Sequence, residues 1–472
     1  MANILRRAFF TVLSIVCFVS VARAQTENID SRIDSFVQAE MSRQKIPGLA
    51  LAVMRDGKML NARGYGLSNV ELNVPVTPES IFQSGSVGKQ FTATAVMMLV
   101  EEGRVRLDDK IAGHFPEAPE AWEKITVRHL LTHTSGLKDY TDKDWDYRRD
   151  YAEEDILKRL QNLPFEFEPG DKWSYSNSGY VLLGFLIHRV TGKFYGDFLQ
   201  ERIFGPLGMT TTDIISEEDI VPHRSSGYRL VKGVLKNQEW VSPSLNTTAD
   251  GSLYFSVLDL AKWDAALYTE KLLKRSSLEE MWTPVKLNDG KTRPYGFGWR
   301  LAEMNGRRLV EHSGSWQGFT TGISRYVDDG LTVVALTNLD SRHSRPMDII
   351  HGVAGLYEPT LTPPPPPPPI ADKEPGVTAL FQDFLRLAAE GKAEAAAFTE
   401  ETGKVWFPER IKELQEDLED FGSPKTIDLL ERKEELGQRI YHYRLTFDDG
   451  RMVTFTLKLT GENKIAGLDR DD

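Results

Sequence analysis

Leu49-Ala50-Leu51-Ala52-Val53-Met54, then Arg55-Asp56-Gly57, then Lys58-Met59-Leu60-Asn61-Ala62-Arg63 reads as strand, tight turn and strand. Asp-Gly between two such runs is a strong short-range hairpin signal, because both turn residues tolerate positive φ. The pattern recurs far downstream, where Thr320 to Val327, Asp328-Asp329-Gly330 and Leu331 to Thr337 repeat strand, turn and strand. Between the hairpins lie helical segments such as Lys89 to Glu102 and Tyr180 to Val190. One antiparallel sheet made from both ends of a domain, flanked by helices and carrying a mostly helical insertion, is the simplest arrangement, which makes this an α+β fold.

Outward from that domain, Pro363 to Pro369 are seven consecutive prolines, a composition that favours an extended polyproline II spacer. Beyond them Leu380, Phe381, Phe384 and Leu385 share one helical face, and Ile411, Leu414, Leu418 and Phe421 share another. Two alternating strands follow, Tyr441 to Phe447 and Val453 to Leu459, joined at Asp448-Asp449-Gly450. This small α+β module resembles the helix-then-sheet plan of cystatin-like or NTF2-like folds. It carries no chemical motif, so its expected role is accessory, in protein contacts. At the other end, Arg6 and Arg7 precede an apolar run from Ala8 to Ser20, and Ala22-Arg23-Ala24 supplies the small residues of a cleavage site. The expected organisation is a signal peptide over 1–24, a catalytic domain over 25–360, a proline-rich linker over 361–372 and the accessory domain over 373–472. Cleavage leaves no stable membrane anchor and places the mature chain in the periplasm or outside the cell.

The chain has 472 residues, 57 Lys+Arg against 69 Asp+Glu, and a formal charge of −12, with no basic run along it. Electrostatic nucleic-acid binding is excluded on that balance. The only cysteine, Cys17, leaves with the signal peptide. The mature chain thus has no disulfide, no cysteine nucleophile and no cysteine-held metal.

A serine nucleophile needs a proton acceptor, and a lysine one helical turn away can serve. Ser-x-x-Lys occurs three times: Ser42 to Lys45, Ser135 to Lys138 and Ser86 to Lys89. The first ends a polar helix before Pro47 and the second contains Gly136, so both read as surface or turn residues. Ser86 stands at the start of an apolar helix with Phe91, Ala95, Met98 and Leu99, where free backbone N–H groups favour a developing oxyanion. A phosphate loop is excluded, since Gln83 and Gln90 occupy the positions of the first glycine and the Ser/Thr. Tyr175-Ser176-Asn177 lies on a loop before another apolar helix. There Tyr175 can share proton traffic with Lys89, and Asn177 can hold Lys89 and a substrate amide oxygen. His312-Ser313-Gly314 and Ser315 lie at a strand end, where small residues let a substrate backbone approach and the Ser315 N–H can complete an oxyanion hole with that of Ser86.

Serine, tyrosine, then a basic residue before a small residue and glycine, in that order, resembles the serine β-lactamase and penicillin-binding protein superfamily. The similarity is greatest to class C β-lactamases with their D-alanyl-D-alanine carboxypeptidase, D-amino-acid peptidase and esterase relatives. His129 to Leu137, Tyr175 to Gly184, Pro206 to Met209, Gly251 to Leu260 and Tyr295 to Trp299 match the same branch. The resemblance spans roughly residues 30 to 357 and implies a β-lactamase/transpeptidase-like fold without cofactor or metal. It implies Ser86 as acylated nucleophile, Lys89 as its activating partner, Tyr175 as general base and later proton donor, and Asn177, His312, Gly314 and Ser315 as substrate-binding residues. No Glu-x-x-Leu-Asn segment follows Asn177, so a class A glutamate route is not implied. The departure is His312 where the family's lysine stands; histidine, with an ordinary pKa of about 6.5, is mostly neutral at pH 7. That tilts expectation from β-lactams toward peptidase and esterase substrates.

Two rival classes are set against this reading. A binding protein on the same fold, holding a peptide or cell-wall fragment without turnover, has no use for an intact Ser86, Lys89, Tyr175 and Asn177. A zinc hydrolase built on His129 and His133 lacks the glutamate that should follow His129, where Leu130 stands. The specificity region is expected in Asp139 to Asp155 and in the aromatics Tyr254, Trp299 and Trp316.

Overall fold

A computed structural model describes residues 29–141, 145–435, 437–448 and 450–471. The expected signal peptide over 1–24, with Cys17, and Asp449 lie outside those residues. The chain forms two compact units, the first made of residues 29–230 and 235–363, the second of residues 231–234 and 364 onward.

The first unit is built on a seven-stranded antiparallel sheet. Its strands are β1 (Gly48–Arg55), β2 (Lys58–Asn69), β3 (Val74–Pro75), β4 (Arg300–Met304), β5 (Arg307–Trp316), β6 (Phe319–Tyr326) and β7 (Leu331–Thr337). Their order is β4-β5-β6-β7-β1-β2-β3, so β1 pairs with β7, Leu49 opposite Thr337 and Arg55 opposite Leu331. The ends of the unit thus meet in mid-sheet, as the two hairpins require. Asp56 and Gly57 stand at φ 50° and 72°, the pair of left-handed residues that a two-residue hairpin turn needs.

Both faces of the sheet are covered. Ala50, Ala52, Met54, Val334 and Leu336 face the larger core. Leu49, Leu51, Val53, Val333 and Ala335 face a smaller one. This period-two alternation explains why the strands read as continuous apolar runs, not as half-polar ones. Helix α1 (29–44) and α6 (Pro346–Tyr357) contribute Ile33, Val37, Ile349 and Val353 to the smaller core. The insertion covers the other face with α2 (Lys89–Glu101), α3 (Val127–Leu131), α4 (Asn177–Thr191) and α5 (Val257–Ala266). Helix α2 is buried nearly all round, Lys89 through Leu99 without interruption, and so carries Ser86 on a rigid support.

The second unit holds helices α7 (Pro375–Ala389), α8 (Glu400–Trp406) and α9 (Glu409–Phe421), then an antiparallel sheet of β8 (Thr426–Glu435), β9 (Gln438–Thr446), β10 (Met452–Leu459) and β11 (Ile465–Asp471). Phe381, Phe384, Leu385, Leu414 and Leu418 pack with Tyr443, Phe455 and Leu457 in its core. The proline run differs from a free spacer. The Arg444 guanidinium donates to the Pro367 carbonyl at 2.8 Å and the Ile370 N–H donates to Leu429 at 2.8 Å. Prolines cannot donate, but their carbonyls accept, so the extended run lies along strands β8 and β9. Leu361, assigned to the linker on sequence, is buried in the smaller core of the first unit.

Candidate active site

The strand Phe82–Gln83 leads into a single 3-10 turn, Gly85–Gly88, from which α2 departs without a break. The turn is held from both sides. The Ser84 N–H donates to Leu253 O at 2.8 Å and its hydroxyl donates to Gly251 O at 2.7 Å. The Thr321 hydroxyl donates to Ser84 O at 2.6 Å, occupying a carbonyl that an α-helix would use. Sequence reading places Ser86 at the start of the α-helix itself; the 3-10 turn is tighter and eclipses positions i and i+3. Lys89 Nζ therefore lies 2.9 Å from Ser86 Oγ.

Lys89 is fully buried. An ammonium has three protons, and three acceptors receive them: Ser86 Oγ, Asn177 Oδ1 at 2.8 Å and Asp250 O at 2.6 Å. The rings of Tyr175 and Tyr180 lie 5.0 and 5.4 Å from Nζ, so the cation is also faced by two aromatic surfaces. The Tyr175 hydroxyl is buried and, among the described residues, has no hydrogen-bond partner. Asn177, the first residue of α4, is held by Asp139, whose Oδ2 accepts from the Asn177 N–H at 2.8 Å and from Nδ2 at 3.0 Å. Its oxygen therefore faces Lys89, and one amide hydrogen is left uncommitted. Asp139 entered the sequence reading only as the start of the specificity segment, and Asp250 was missed, since a backbone carbonyl leaves no mark on residue type.

Strand β5 brings the third group. Its pairing with β4 ends at Glu311, so the outer edge from His312 to Trp316 carries no strand among the described residues. Gly314 lies against the nucleophile turn. A Cβ there would fall 2.2 Å from Ser84 O, and a Cβ on Gly85 would fall 2.4 Å from Ser315 N. The backbone of Ser315 is thus packed beside Ser86, and both residues line one narrow cleft with Asn177, Asp250, Tyr147 and Trp316.

His312 is not among the cleft-lining residues. It is buried, its Nδ1 lies 2.6 Å from Ser313 O and its Nε2 lies 2.9 Å from the Tyr295 hydroxyl. Burial, then the Lys89 charge, pushes its pKa down to about 3 against the pull of the Ser313 carbonyl. The lowered value implies that the His312 ring resonances do not shift between pH 5 and 8. A histidine-selective NMR titration with His312→Gln as the assignment control checks this, and a midpoint near 6.5 would refute it.

Of the expected specificity aromatics only Trp316 reaches the cleft, its indole N–H donating to Asn246 Oδ1 at 2.7 Å. Trp299 is fully buried in the larger core, and Tyr254 is buried in a small cluster with Ile81 and Ile215. Tyr147, from the segment after Asp139, faces Trp316 with ring centroids 6.5 Å apart. His129 and His133 have separate partners: His129 Nδ1 accepts from the Thr126 N–H, whereas His133 reaches Tyr295.

The profile of the Beta-lactamase family matches residues 33–358. Penicillin-binding protein 4* of Bacillus subtilis (strain 168) is 32% identical over 329 residues, which is 66% of this chain and 72% of that protein. The D-aminopeptidase of Gluconobacter oxydans (strain 621H) is 27% identical over 373 residues, 75% of this chain and 68% of that one. Among solved structures, the octameric penicillin-binding protein homologue from Pyrococcus abyssi superposes with a TM-score of 0.62 at 26% identity, covering 91% of this chain and 90% of its own. The D-amino acid amidase from Ochrobactrum anthropi SV3 gives 0.61 at 27%, covering 71% and 97%. The matched span holds the whole sheet, the Ser86 turn and the Gly314 edge, and on that ground the chain belongs to the Beta-lactamase family and is a serine hydrolase of its fold.

Proposed function

We propose that this chain is an exported serine amidohydrolase that transfers an acyl group from a small amide, ester or D-amino-acid peptide to Ser86 and then to water. The observation that carries the reading is Lys89, buried and bonded at once to Ser86 Oγ, Asn177 and Asp250. Ser86 Oγ attacks the carbonyl, and its proton passes to the Tyr175 oxygen as Tyr175 passes its own hydroxyl hydrogen to the leaving nitrogen or ester oxygen; among the described residues no competing partner holds that hydroxyl. The N–H groups of Ser86 and Ser315 receive the carbonyl oxygen as it becomes negative. The leaving nitrogen, or the oxygen of an ester, departs in that protonated form as the C–N or C–O bond breaks. Water then adds to the Ser86 ester, its proton passing to the Tyr175 oxygen as Tyr175 passes its own to the departing Ser86 Oγ, and the acid is released.

Charge narrows the substrate. None of the described residues lining the cleft is lysine or arginine, and Asp250 borders it. The three protons of Lys89 are already engaged, and His312 is neutral at pH 7. A substrate carboxylate of the β-lactam kind finds no free cation there, whereas a free amine meets Asp250, whose carboxyl burial holds above the ordinary carboxylate pKa against the pull of Lys89. The relatives named as a D-aminopeptidase and a D-amino acid amidase accord with this choice. Export rests on the basic and apolar N-terminus and the small-residue site Ala22-Arg23-Ala24. The second unit is assigned an accessory role in protein contacts.

The test compares kcat/KM for D-phenylalanine amide, its N-acetyl derivative and benzylpenicillin. The free amine should be favoured over the acetylated amide by about 10-fold or more, the worth of a hydrogen bond to a charged group. Benzylpenicillin as the best of the three would overturn the substrate assignment.

A further inference from the structure

Behind Tyr175 lie three buried side chains that the acyl-transfer steps do not use: His133, Tyr295 and His312. His133 Nε2 lies 3.1 Å from the Tyr295 hydroxyl, which lies 2.9 Å from His312 Nε2. The far ends touch backbone, His133 Nδ1 at 3.2 Å from the Ser176 nitrogen and 3.1 Å from the Ser176 carbonyl oxygen, and His312 Nδ1 at 2.6 Å from Ser313 O.

Proton counting gives the chain one direction. A carbonyl can only accept, so His312 Nδ1 carries the hydrogen. In a neutral ring Nε2 is then a bare acceptor, and Tyr295 must donate to it. Tyrosine has one hydrogen, so its oxygen accepts from His133 Nε2–H. His133 Nδ1 has both the Ser176 N–H and the Ser176 carbonyl within reach, and because the single hydrogen of a neutral ring is already on Nε2, it accepts the N–H and does not bond the carbonyl. Both rings are held neutral by burial, which lowers each imidazole's pKa. Every donor in the chain finds one acceptor.

The ends of this chain are the two halves of the site. His133 lies against Tyr175, with ring centroids 4.2 Å apart and planes 32° apart. The His133 carbonyl accepts from the Ser174 N–H at 3.0 Å, so residues on both sides of Tyr175 are tied to it. At the other end Ser313 precedes Ser315 by two residues on β5. We propose that His133, Tyr295 and His312 are positioning residues forming a one-directional hydrogen-bond relay that fixes the Tyr175 hydroxyl relative to the Ser315 N–H. His312 thus acts from inside the relay and not on the substrate. The proposal rests on the assignment of Tyr175 and Ser315 to acyl transfer.

The test is Tyr295→Phe in the full chain, which removes one oxygen and keeps the ring. On a p-nitrophenyl ester kcat should fall about 10- to 100-fold with KM changed less than about threefold, since misplacing reacting groups costs rate more than binding. Histidine 15N correlation spectra of the wild type should show the Nδ1–H tautomer at His312 and the Nε2–H tautomer at His133. His133→Gln, whose amide nitrogen can replace Nε2–H, should retain more kcat than His133→Leu, and this pair decides should Tyr295→Phe not fold. The opposite tautomers, an unchanged kcat in folded Tyr295→Phe, or equal rates for the His133 pair would each overturn the relay. The tautomers are read without turnover, so a wild type whose Ser86 fails to acylate refutes the proposed function separately.

Discussion

Replacing Ser86 by alanine is expected to lower kcat by at least about 10,000-fold and to abolish the covalent adduct that a fluorophosphonate leaves on the wild type. The reason is geometric as well as chemical. Ser86 lines the cleft together with Asn177 and Asp250, the other partners of Lys89, and is the one of the three with a nucleophilic hydroxyl, whereas Lys89 is buried behind them. Alanine removes the attacking atom and leaves the other two Lys89 bonds in place. The variant should therefore stay folded while losing the chemistry. Lys89→Met should be as inactive but less stable, because Asn177 Oδ1 and Asp250 O lose their donor inside the protein, at about 1–3 kcal/mol for each orphaned acceptor. Intact-mass spectrometry beside a melting curve separates the two effects. An adduct that persists in Ser86→Ala would assign the nucleophile elsewhere and remove the proposed mechanism.

What could be read from sequence was whatever leaves a local mark. The two Asp/Gly turns, each flanked by apolar runs, announce hairpins because turn chemistry and side-chain alternation are properties of a few adjacent residues. Ser86 with Lys89, and Tyr175 with Asn177, were legible for the same reason. The partners that fix them were not. Asp139 holds Asn177 across 38 positions, and Asp250 meets Lys89 through its backbone, which any residue type would offer. His312 has partners that residue type does not announce. Read as a substrate-facing group in place of a lysine, it turns both nitrogens inward, because Tyr295 and the Ser313 carbonyl offer partners that a buried imidazole needs. Trp299 is a large aromatic near the motifs that is spent entirely on the core.

Gly314→Ala is the second substitution expected to have a large effect, though it removes no functional group. Its new methyl carbon would stand 2.2 Å from Ser84 O, 2.7 Å from Thr321 Oγ1 and 2.9 Å from Ser86 N. Two of these atoms are backbone of the nucleophile turn, and Ser84 is itself pinned by Gly251, Leu253 and Thr321, so neither side yields. Strand β5 must then move away from the turn by an ångström or so, about the gap between 2.2 Å and an ordinary contact. That displacement separates the Ser86 and Ser315 N–H groups, which serve an oxyanion only when held at hydrogen-bond distance from one point. The expected loss in kcat/KM is about 100-fold or more, with overpacking destabilising the fold by about 1–3 kcal/mol. Gly113→Ala is the control, since a Cβ there meets nothing within 4 Å and should leave rate and melting temperature unchanged. Labelling by fluorophosphonate should slow in Gly314→Ala in step with turnover, because acylation itself needs the paired N–H groups. If Gly314→Ala keeps full activity, the close approach of β5 to the turn is not what builds the oxyanion site, and the role of the Ser315 N–H falls with it.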